Sequence, residues 1–318
     1  MDQATPITLG ISSCLLGQEV RYDGGHKKLG FATDELGRHF DFLPVCPEMA
    51  IGLGSPRPTL RLVRDAHDAT HVRQSQDNRV DVTAQLIAVA NHTAQTAAHI
   101  SGYILCAKSP SCGMERVPVF TENGSSLGKV GSGAYAARLM EKMPLLPVEE
   151  NGRLNDPLLR ENFVLRVTAY HRWQMLMSEG LTTAGLQNFH RRHKFLLLAH
   201  NQRIYRELGP VVADSANNLP HSADDYINRF MDALREPAQR SNHCNALMHL
   251  QGFLKADLDS EERQDLSAQI EQYRVGTLPL LVPLALIERY ARKYHVDYVL
   301  DQYYFHPYPD DLRLRYGL

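Results

Sequence analysis

Tyr103-Ile104-Leu105-Cys106-Ala107 breaks directly into Lys108-Ser109-Pro110-Ser111-Cys112-Gly113. The first five residues are an apolar run without alternation, the pattern of a strand covered on both faces. The next six place a thiol, two hydroxyls and an ammonium around a Pro and a Gly, which is turn chemistry at the end of a strand. Upstream, Thr83 to Ser101 carries Leu86, Val89, Ala90, Ala94, Ala97 and Ala98 on a helical period, and the alanines raise its helix propensity. With the strand expected over Ile100 to Ala107, this order predicts a βαβ unit, hence a parallel sheet with a right-handed crossover.

Two earlier apolar runs end in the same way. Ile7 to Ser13 leads into Cys14, and Phe42 to Val45 leads into Cys46-Pro47-Glu48. Open parallel sheets bind ligands beyond the carboxyl ends of their strands, and Cys14, Cys46 and Cys112 all fall there. Cys106 reads as part of its strand, and Cys244 as a small buried apolar residue, the usual fate of a free cysteine. Between these runs, Ala32 to Phe40 reads as a short helix, and Leu60 to Val63 with Val80 to Val82 as an edge hairpin. Gly128-Lys129-Val130-Gly131-Ser132-Gly133 precedes a helix-prone segment, Ala134 to Met143. Free amides at a helix start suit a phosphate, which makes Gly131, Ser132 and Gly133 candidate substrate contacts alongside Ser109. The spacing is not that of a P-loop, and a flexible connection explains it equally well.

The chain has 318 residues, enough for two domains each with its own core, and a formal net charge of −2. Any nucleic-acid contact must therefore come from a local patch. The first residues lack the charged and apolar regions of a signal peptide, and no apolar run reaches membrane-spanning length. A cytoplasmic protein is expected. Five cysteines in so long a chain do not make a disulfide framework; in a reducing compartment, thiols in polar loops are more often ligands or nucleophiles.

No CxxC pair is present, which excludes a zinc ribbon and a ferredoxin-type run and argues against a thiol-redox enzyme. Structural zinc would need a fourth ligand, such as His26. Three thiolates on an iron–sulfur cluster would leave one iron without a protein ligand, and an open position is the mark of a catalytic centre. Glu48 two residues after Cys46, and Lys108 and Ser111 before Cys112, supply groups that handle water and protons. Arg21 and Asp23 read as a salt bridge fixing the Cys14 loop.

From Asn155-Asp156-Pro157 onward the pattern is helical. Helices are expected over 157–178, 183–208 (closed by Gly209-Pro210), 222–234, 240–255, 260–274 and 279–294, with Asp259 and Glu262 as a capping box. The fold class is thus an α/β domain over residues 1–155, with a mostly parallel, Rossmann-like sheet, followed by an all-α domain over 156–318. Phe189-His190-Arg191-Arg192-His193-Lys194 is basic and histidine-rich. It reads first as a solvated face, and it leaves open a contact with RNA or substrate phosphate. The tyrosine-rich tail from Tyr298 to Tyr316 is expected to pack on the bundle.

Ser13-Cys14-Leu15-Leu16-Gly17 with Arg21-Tyr22-Asp23-Gly24, then Pro44-Val45-Cys46-Pro47-Glu48, then Lys108-Ser109-Pro110-Ser111-Cys112-Gly113 together resemble the TudS-type thiouracil desulfidases. The stretch from Phe189 to Asn201 is similar to the YbgA family of helical domains. The pairing resembles the two-domain RudS-type desulfidases, over nearly the whole chain. The resemblance implies a [4Fe-4S] cluster on Cys14, Cys46 and Cys112, with one iron free for the sulfur of a thiolated uracil. It implies hydrolytic loss of sulfide without net redox change, from 4-thiouracil or a nucleotide such as 4-thiouridine monophosphate. Glu48 would be the base toward water, and Lys108 and Ser111 would position substrate or move protons. The alternative expectation is a metal-stabilised RNA-binding or regulatory protein without turnover.

Overall fold

The computed structural model describes residues 6–315, so the first five residues and Tyr316 of the tail lie outside the described residues. The chain divides into two compact units, Met1–Asn155 and Asp156–Leu318. The first is α/β and the second is helical.

In the first unit, β1 (Ile7–Ser12), β2 (Phe40–Val45), α1 (Pro47–Ala50), β3 (Leu60–Arg64), β4 (Thr70–Gln74), α2 (Thr83–Thr96), β5 (Gly102–Leu105), β6 (Val117–Thr121), β7 (Ser126–Gly131), α3 (Ala134–Lys142) and β8 (Val148–Glu150) follow in order. One sheet runs β2-β1-β5-β8, and its three pairings are all parallel. Leu9, Ile11, Tyr103, Ile104 and Leu105 are wholly buried in it, as continuous apolar runs require. Gly10 sits opposite Tyr103 in the register. A Cβ there would stand 2.2 Å from Tyr103 Cδ2, so the absence of a side chain admits the ring. Tyr103 then meets Tyr135 of α3, hydroxyl to hydroxyl at 3.0 Å, tying sheet to helix.

A second sheet, β4-β3-β6-β7, mixes parallel and antiparallel pairs around Leu62, Val72, Val82, Leu86, Val117 and Val119. The edge hairpin expected from Leu60 to Val63 with Val80 to Val82 is replaced by β3 with β4. The turn explains the choice. Asp65 Oδ1 accepts from the amides of His67 and Ala69, both at 2.9 Å, and closes the chain before Val80 is reached. The segment read as a helix over Ala32 to Phe40 forms two short irregular turns, Phe31–Glu35 and Leu36–Arg38, ahead of β2.

The second unit contains α4 (Pro157–Ser178), α5 (Thr183–His200), α6 (Gln202–Ala213), α7 (Leu219–Ala233), α8 (Arg240–Leu254), α9 (Ser260–Arg274), α10 (Leu281–Lys293) and α11 (Asp297–Leu300). Asp156 caps α4, and the Asp259–Glu262 capping box starts α9. The single helix expected from Thr183 to Leu208 is two. The backbone turns extended at Asn201 (φ −149°, ψ 99°), whose side chain accepts from Ile204 N at 3.0 Å and caps α6. Gly209 and Pro210 then lie inside α6 instead of ending a helix. Tyr304 and Tyr308 of the tail are buried. No helix among the described residues is long and apolar enough to cross a membrane.

Candidate cysteine-lined active site

Three neighbouring strands of the parallel sheet deliver the thiols. β1 ends at Ser12, and the turn Ser13–Leu16 carries Cys14. β2 ends at Val45, and Cys46 is the residue from which α1 starts, with Pro47 in the first helical position. β5 ends at Leu105, and the following loop carries Cys112. Cys14, Cys46 and Cys112 line one cavity of about 390 Å³.

Cys106 lines it too, which corrects its reading as a strand residue. The strand stops one residue earlier. The Cys106 amide donates to Ser12 Oγ at 3.0 Å, and its thiol donates to Ala107 O at 3.9 Å. Cys244 is buried in the helical unit, as expected.

The loop before Cys112 is held from three sides. Ser109 Oγ accepts from Ser111 N at 3.2 Å and Cys112 N at 3.0 Å, and Ser109 O accepts from Gly113 N at 2.8 Å. A Cβ on Gly113 would meet Val117 Cγ2 at 2.4 Å and Ser109 O at 2.8 Å, so the tight closure requires glycine. Lys108 adopts φ +65°, a left-handed backbone unusual for a side chain of its size, and reaches the cavity. At its two ends, Ala107 N donates to Asn151 Oδ1 at 2.9 Å and Met114 N to Glu150 Oε1 at 2.7 Å. From beneath, Gly133 N, Ala134 N and Ala136 N donate to the carbonyls of Gly113, Pro110 and Ser111 at 2.8, 3.0 and 3.1 Å.

Those last bonds correct the phosphate reading of Gly131, Ser132 and Gly133. Amides at the start of α3 are already committed to the Cys112 loop, and none of the three residues lines the thiol cavity. Gly131 is small because Leu62 and Val119 stand 2.6 Å from where its Cβ would be. Gly133 is small because the Ser111 carbonyl stands 2.4 Å from its own. Ser109 does line the cavity, but its hydroxyl shapes the loop. Ser111 is enclosed behind Cys112, outside the cavity lining, and its hydroxyl has no hydrogen-bond partner.

Glu48 is 8% exposed, low enough to need a partner. It has two: the Cys46 thiol donates to Oε2 at 3.4 Å, and Arg57 Nη2 lies 3.9 Å from the same oxygen. Arg57 is itself fixed by Nη1 donating to Val20 O and Gly54 O, both at 2.8 Å. Burial and the Glu48 carboxylate push the Cys46 thiol up to about 11. Burial, with Glu48 again, raises Cys112 well above the ordinary thiol range. The neighbouring Cys106 thiol, then burial, raises Cys14; the same pairing draws Cys106 below its ordinary value, helped by Lys27 and Arg21. Arg21, Lys27, Arg57 and Lys108 line the cavity against the single carboxylate of Glu48. Sequence reasoning reached Lys108 but not Arg57 or Lys27, and gave Arg21 only its pairing with Asp23, seen here at 3.9 Å. No periodicity marks these cations; only their closeness in sequence to the cysteine motifs could have done so.

Among the described residues no three His, Cys, Asp or Glu side chains converge on one metal ion. The thiols instead rim a space, an arrangement that suits a cluster whose cysteines sit on different irons. The donor set is soft sulfur, as such a cluster needs, and the enclosed Ser111 hydroxyl beside Cys112 is a free donor of the kind a sulfur-rich group occupies.

The basic stretch of α5 is largely engaged within the helical unit. Arg191 pairs with Asp301 at 2.9 Å, and the Arg192 guanidinium lies 4.0 Å from the Tyr303 ring centre. Lys194 sits over Tyr298 at 5.4 Å. His193 is wholly buried against Phe189, and His200 contacts Asn162 at 3.2 Å. These partners leave less free charge for RNA than the composition suggests.

The sequence profile described as 2-thiouracil desulfurase matches residues 9–151, and one described as a protein of unknown function (DUF1722) matches residues 194–309. The uncharacterized protein YbgA of Escherichia coli (strain K12) is 39% identical over 159 residues, covering 49% of this chain and 94% of that protein. The uncharacterized protein YbbK of Bacillus subtilis (strain 168) is 33% identical over 159 residues, covering 46% of this chain and 98% of that protein. A solved structure described as the [4Fe-4S]-dependent thiouracil desulfidase TudS is 32% identical, with a TM-score of 0.38, over 47% of this chain and 93% of that one.

Proposed function

The chain belongs to the 2-thiouracil desulfurase family through residues 9–151 and to the DUF1722 helical family through residues 194–309, and on that premise we propose that it removes sulfur from thiolated uracil, with a nucleotide such as 4-thiouridine monophosphate as substrate. One observation carries the reading: thiols from three adjacent strand ends share a cavity with a buried carboxylate and a rim of cations. In the reaction the oxygen of water replaces sulfur on the ring carbon and sulfide leaves, so no electrons change hands. We place this chemistry in the cytoplasm, where thiols stay reduced.

Cys14, Cys46 and Cys112 would hold the [4Fe-4S] cluster that the sequence resemblance implies. When bound, it supplies a soft Lewis-acid iron suited to a thiocarbonyl sulfur. The protein's own groups do the rest. Once Cys46 is a ligand its S–H is gone, and Glu48 Oε2 loses that donor. Glu48 then remains held by Arg57 and free to accept a proton from water, the task of a general base. Lys108, Lys27 and Arg21 give the cavity a positive rim that favours the phosphate of a nucleotide over a free base. This takes over the role expected of Gly131 to Gly133. Ser111, buried and outside the cavity lining, would act on the Cys112 side of the site and not on the substrate.

The test is sulfide release by anaerobically reconstituted protein across thiolated free bases, nucleosides, monophosphates and tRNA. Turnover is expected, fastest on the monophosphate. A protein that stays colourless and iron-free after reconstitution, and releases no sulfide from any of them, would end the proposal.

A further inference from the structure

Four thiols, not three, line the cavity at the strand ends: Cys106 stands there with Cys14, Cys46 and Cys112. Of the four, Cys106 alone has no part in the proposed chemistry. A [4Fe-4S] cluster normally takes four thiolates, and the three cysteines of the motifs leave one iron without a protein ligand.

The backbone on either side of Cys106 is pinned. Its own amide donates to Ser12 Oγ at 3.0 Å, at the end of β1 and just before the turn that carries Cys14. The next amide, Ala107 N, donates to Asn151 Oδ1 at 2.9 Å, and Asn151 N donates back to Leu105 O at 3.0 Å. The thiol is held more loosely. Ala107 O lies 3.9 Å away, a long contact even for sulfur. A pinned backbone with one side-chain rotor lets the sulfur take or leave a position in the cavity while the chain stays still. Cys14 and Cys112 are buried, whereas Cys106 is partly exposed, as a group that changes places with an incoming ligand must be. Cys46 is partly exposed too, but its thiol is turned to Glu48 Oε2 at 3.4 Å. Arg21, Lys27, Arg57 and Lys108 share the lining with the one carboxylate of Glu48, and they offset the charge that a fourth thiolate adds.

We infer that Cys106 is the resting ligand of the iron that the other three leave open, and that the sulfur of the substrate displaces it. The inference rests on the cluster proposed above. On ligation the Cys106 sulfur gives its proton to solvent and bonds iron through a lone pair. When the thiocarbonyl sulfur takes that position, the iron–Cys106 bond breaks and the thiolate takes a proton back. No electron is transferred in either direction. A site closed in this way keeps its fourth iron while no substrate is present.

Mössbauer and EPR spectra of the full chain, reconstituted without oxygen as wild type, Cys106→Ala and Cys244→Ala, test it. Wild type should show all the irons in like sulfur surroundings, and 4-thiouracil or 4-thiouridine monophosphate should set one of them apart. Cys106→Ala should show the distinct iron before either compound is added. After brief treatment with ferricyanide, Cys106→Ala should yield several-fold more of the three-iron cluster signal than wild type. Cys244→Ala, changed in the helical unit, should match wild type. A distinct iron already present in wild type, or equal three-iron signals from wild type and Cys106→Ala, would overturn the inference and leave the cluster standing. Loss of the whole cluster in Cys106→Ala would make Cys106 a permanent ligand and overturn the exchange. So would a wild-type spectrum that neither compound changes. Wild type that takes up no iron would instead overturn the cluster reading and this inference together.

Discussion

The Cys46 thiol donates to Glu48 Oε2 at 3.4 Å, so the residue proposed to bind iron and the residue proposed to move a proton are hydrogen-bonded partners two positions apart. The start of α1 makes this contact, because Pro47 fixes the first helical residue and lets Glu48 fold back toward the residue before it. Loading one partner therefore changes what the other can do.

Glu48→Gln keeps the size and the contact with Arg57 but cannot take a proton. It should lower the sulfide-release rate about 10²- to 10⁴-fold, the usual contribution of a general base, while iron content stays at the wild-type level. Equal loss of iron and activity would assign Glu48 to holding the cluster.

The cysteines should separate by role. Cys112→Ala is expected to abolish the visible absorbance and acid-labile sulfide of reconstituted protein, as are Cys14→Ala and Cys46→Ala. Cys106→Ser should retain both, because the amide bond from Cys106 to Ser12 Oγ, which ties the strand ends, survives the change. Iron and sulfide analysis of the four variants, purified without oxygen, decides the matter.

Gly133→Ala would put a methyl group 2.4 Å from the Ser111 carbonyl. That clash is with backbone, so α3 and the Cys112 loop must separate. A loss of about 1–3 kcal/mol is expected, read as a lower melting temperature of the apo-protein together with weaker cluster retention. Ser132→Ala, one residue away, should change neither.

Acid should weaken the helical unit through its histidines. Burial holds His190 and His200 down to about 4, and lowers His193 and His243 well below the ordinary value. The unfolded chain takes up those protons near pH 6.5 and the folded one does not. The stabilisation is thus complete above about 6.5 and lost as pH falls toward about 4, at about 1.4 kcal/mol for each unit of depression per residue. Denaturant midpoints of the isolated transition between pH 7.5 and 4.5 should fall steadily, and His193→Phe should flatten the slope.

The parallel sheet was legible because β1, β5 and the Phe42–Val45 part of β2 are short, mostly apolar runs, each followed by turn residues, and because α2 shows a helical period. The three strand-end cysteines followed from that. Of the second sheet only β3 was legible, as the strand expected over Leu60 to Val63; β7 is Ser-Leu-Gly-Lys-Val-Gly, nearly all exposed, and its glycines pointed to a loop. The same glycines suggested a phosphate site because sequence cannot show that an amide is already taken by Pro110 or Gly113. Cys106 was misplaced by one residue of strand length, which is the difference between core and cavity. Arg57 stayed hidden because its partners, Val20 O and Gly54 O, are backbone atoms that leave no pattern in the sequence. The break at Asn201 was missed because no Gly or Pro marks it; a side-chain cap does.

The loop bearing Cys112 is held by Gly133, Ala134 and Ala136 from below and by Glu150 and Asn151 at its ends. All of these lie downstream of it in the chain. A growing polypeptide therefore exposes Cys14, Cys46 and Cys112 well before the last clasp emerges. The Cys112 loop lacks its last clasp until residue 151 is in place, so the proposed cluster would find its receptacle only then. The order expected of the proposed holo-protein is therefore closure of the α/β unit first and metal after it.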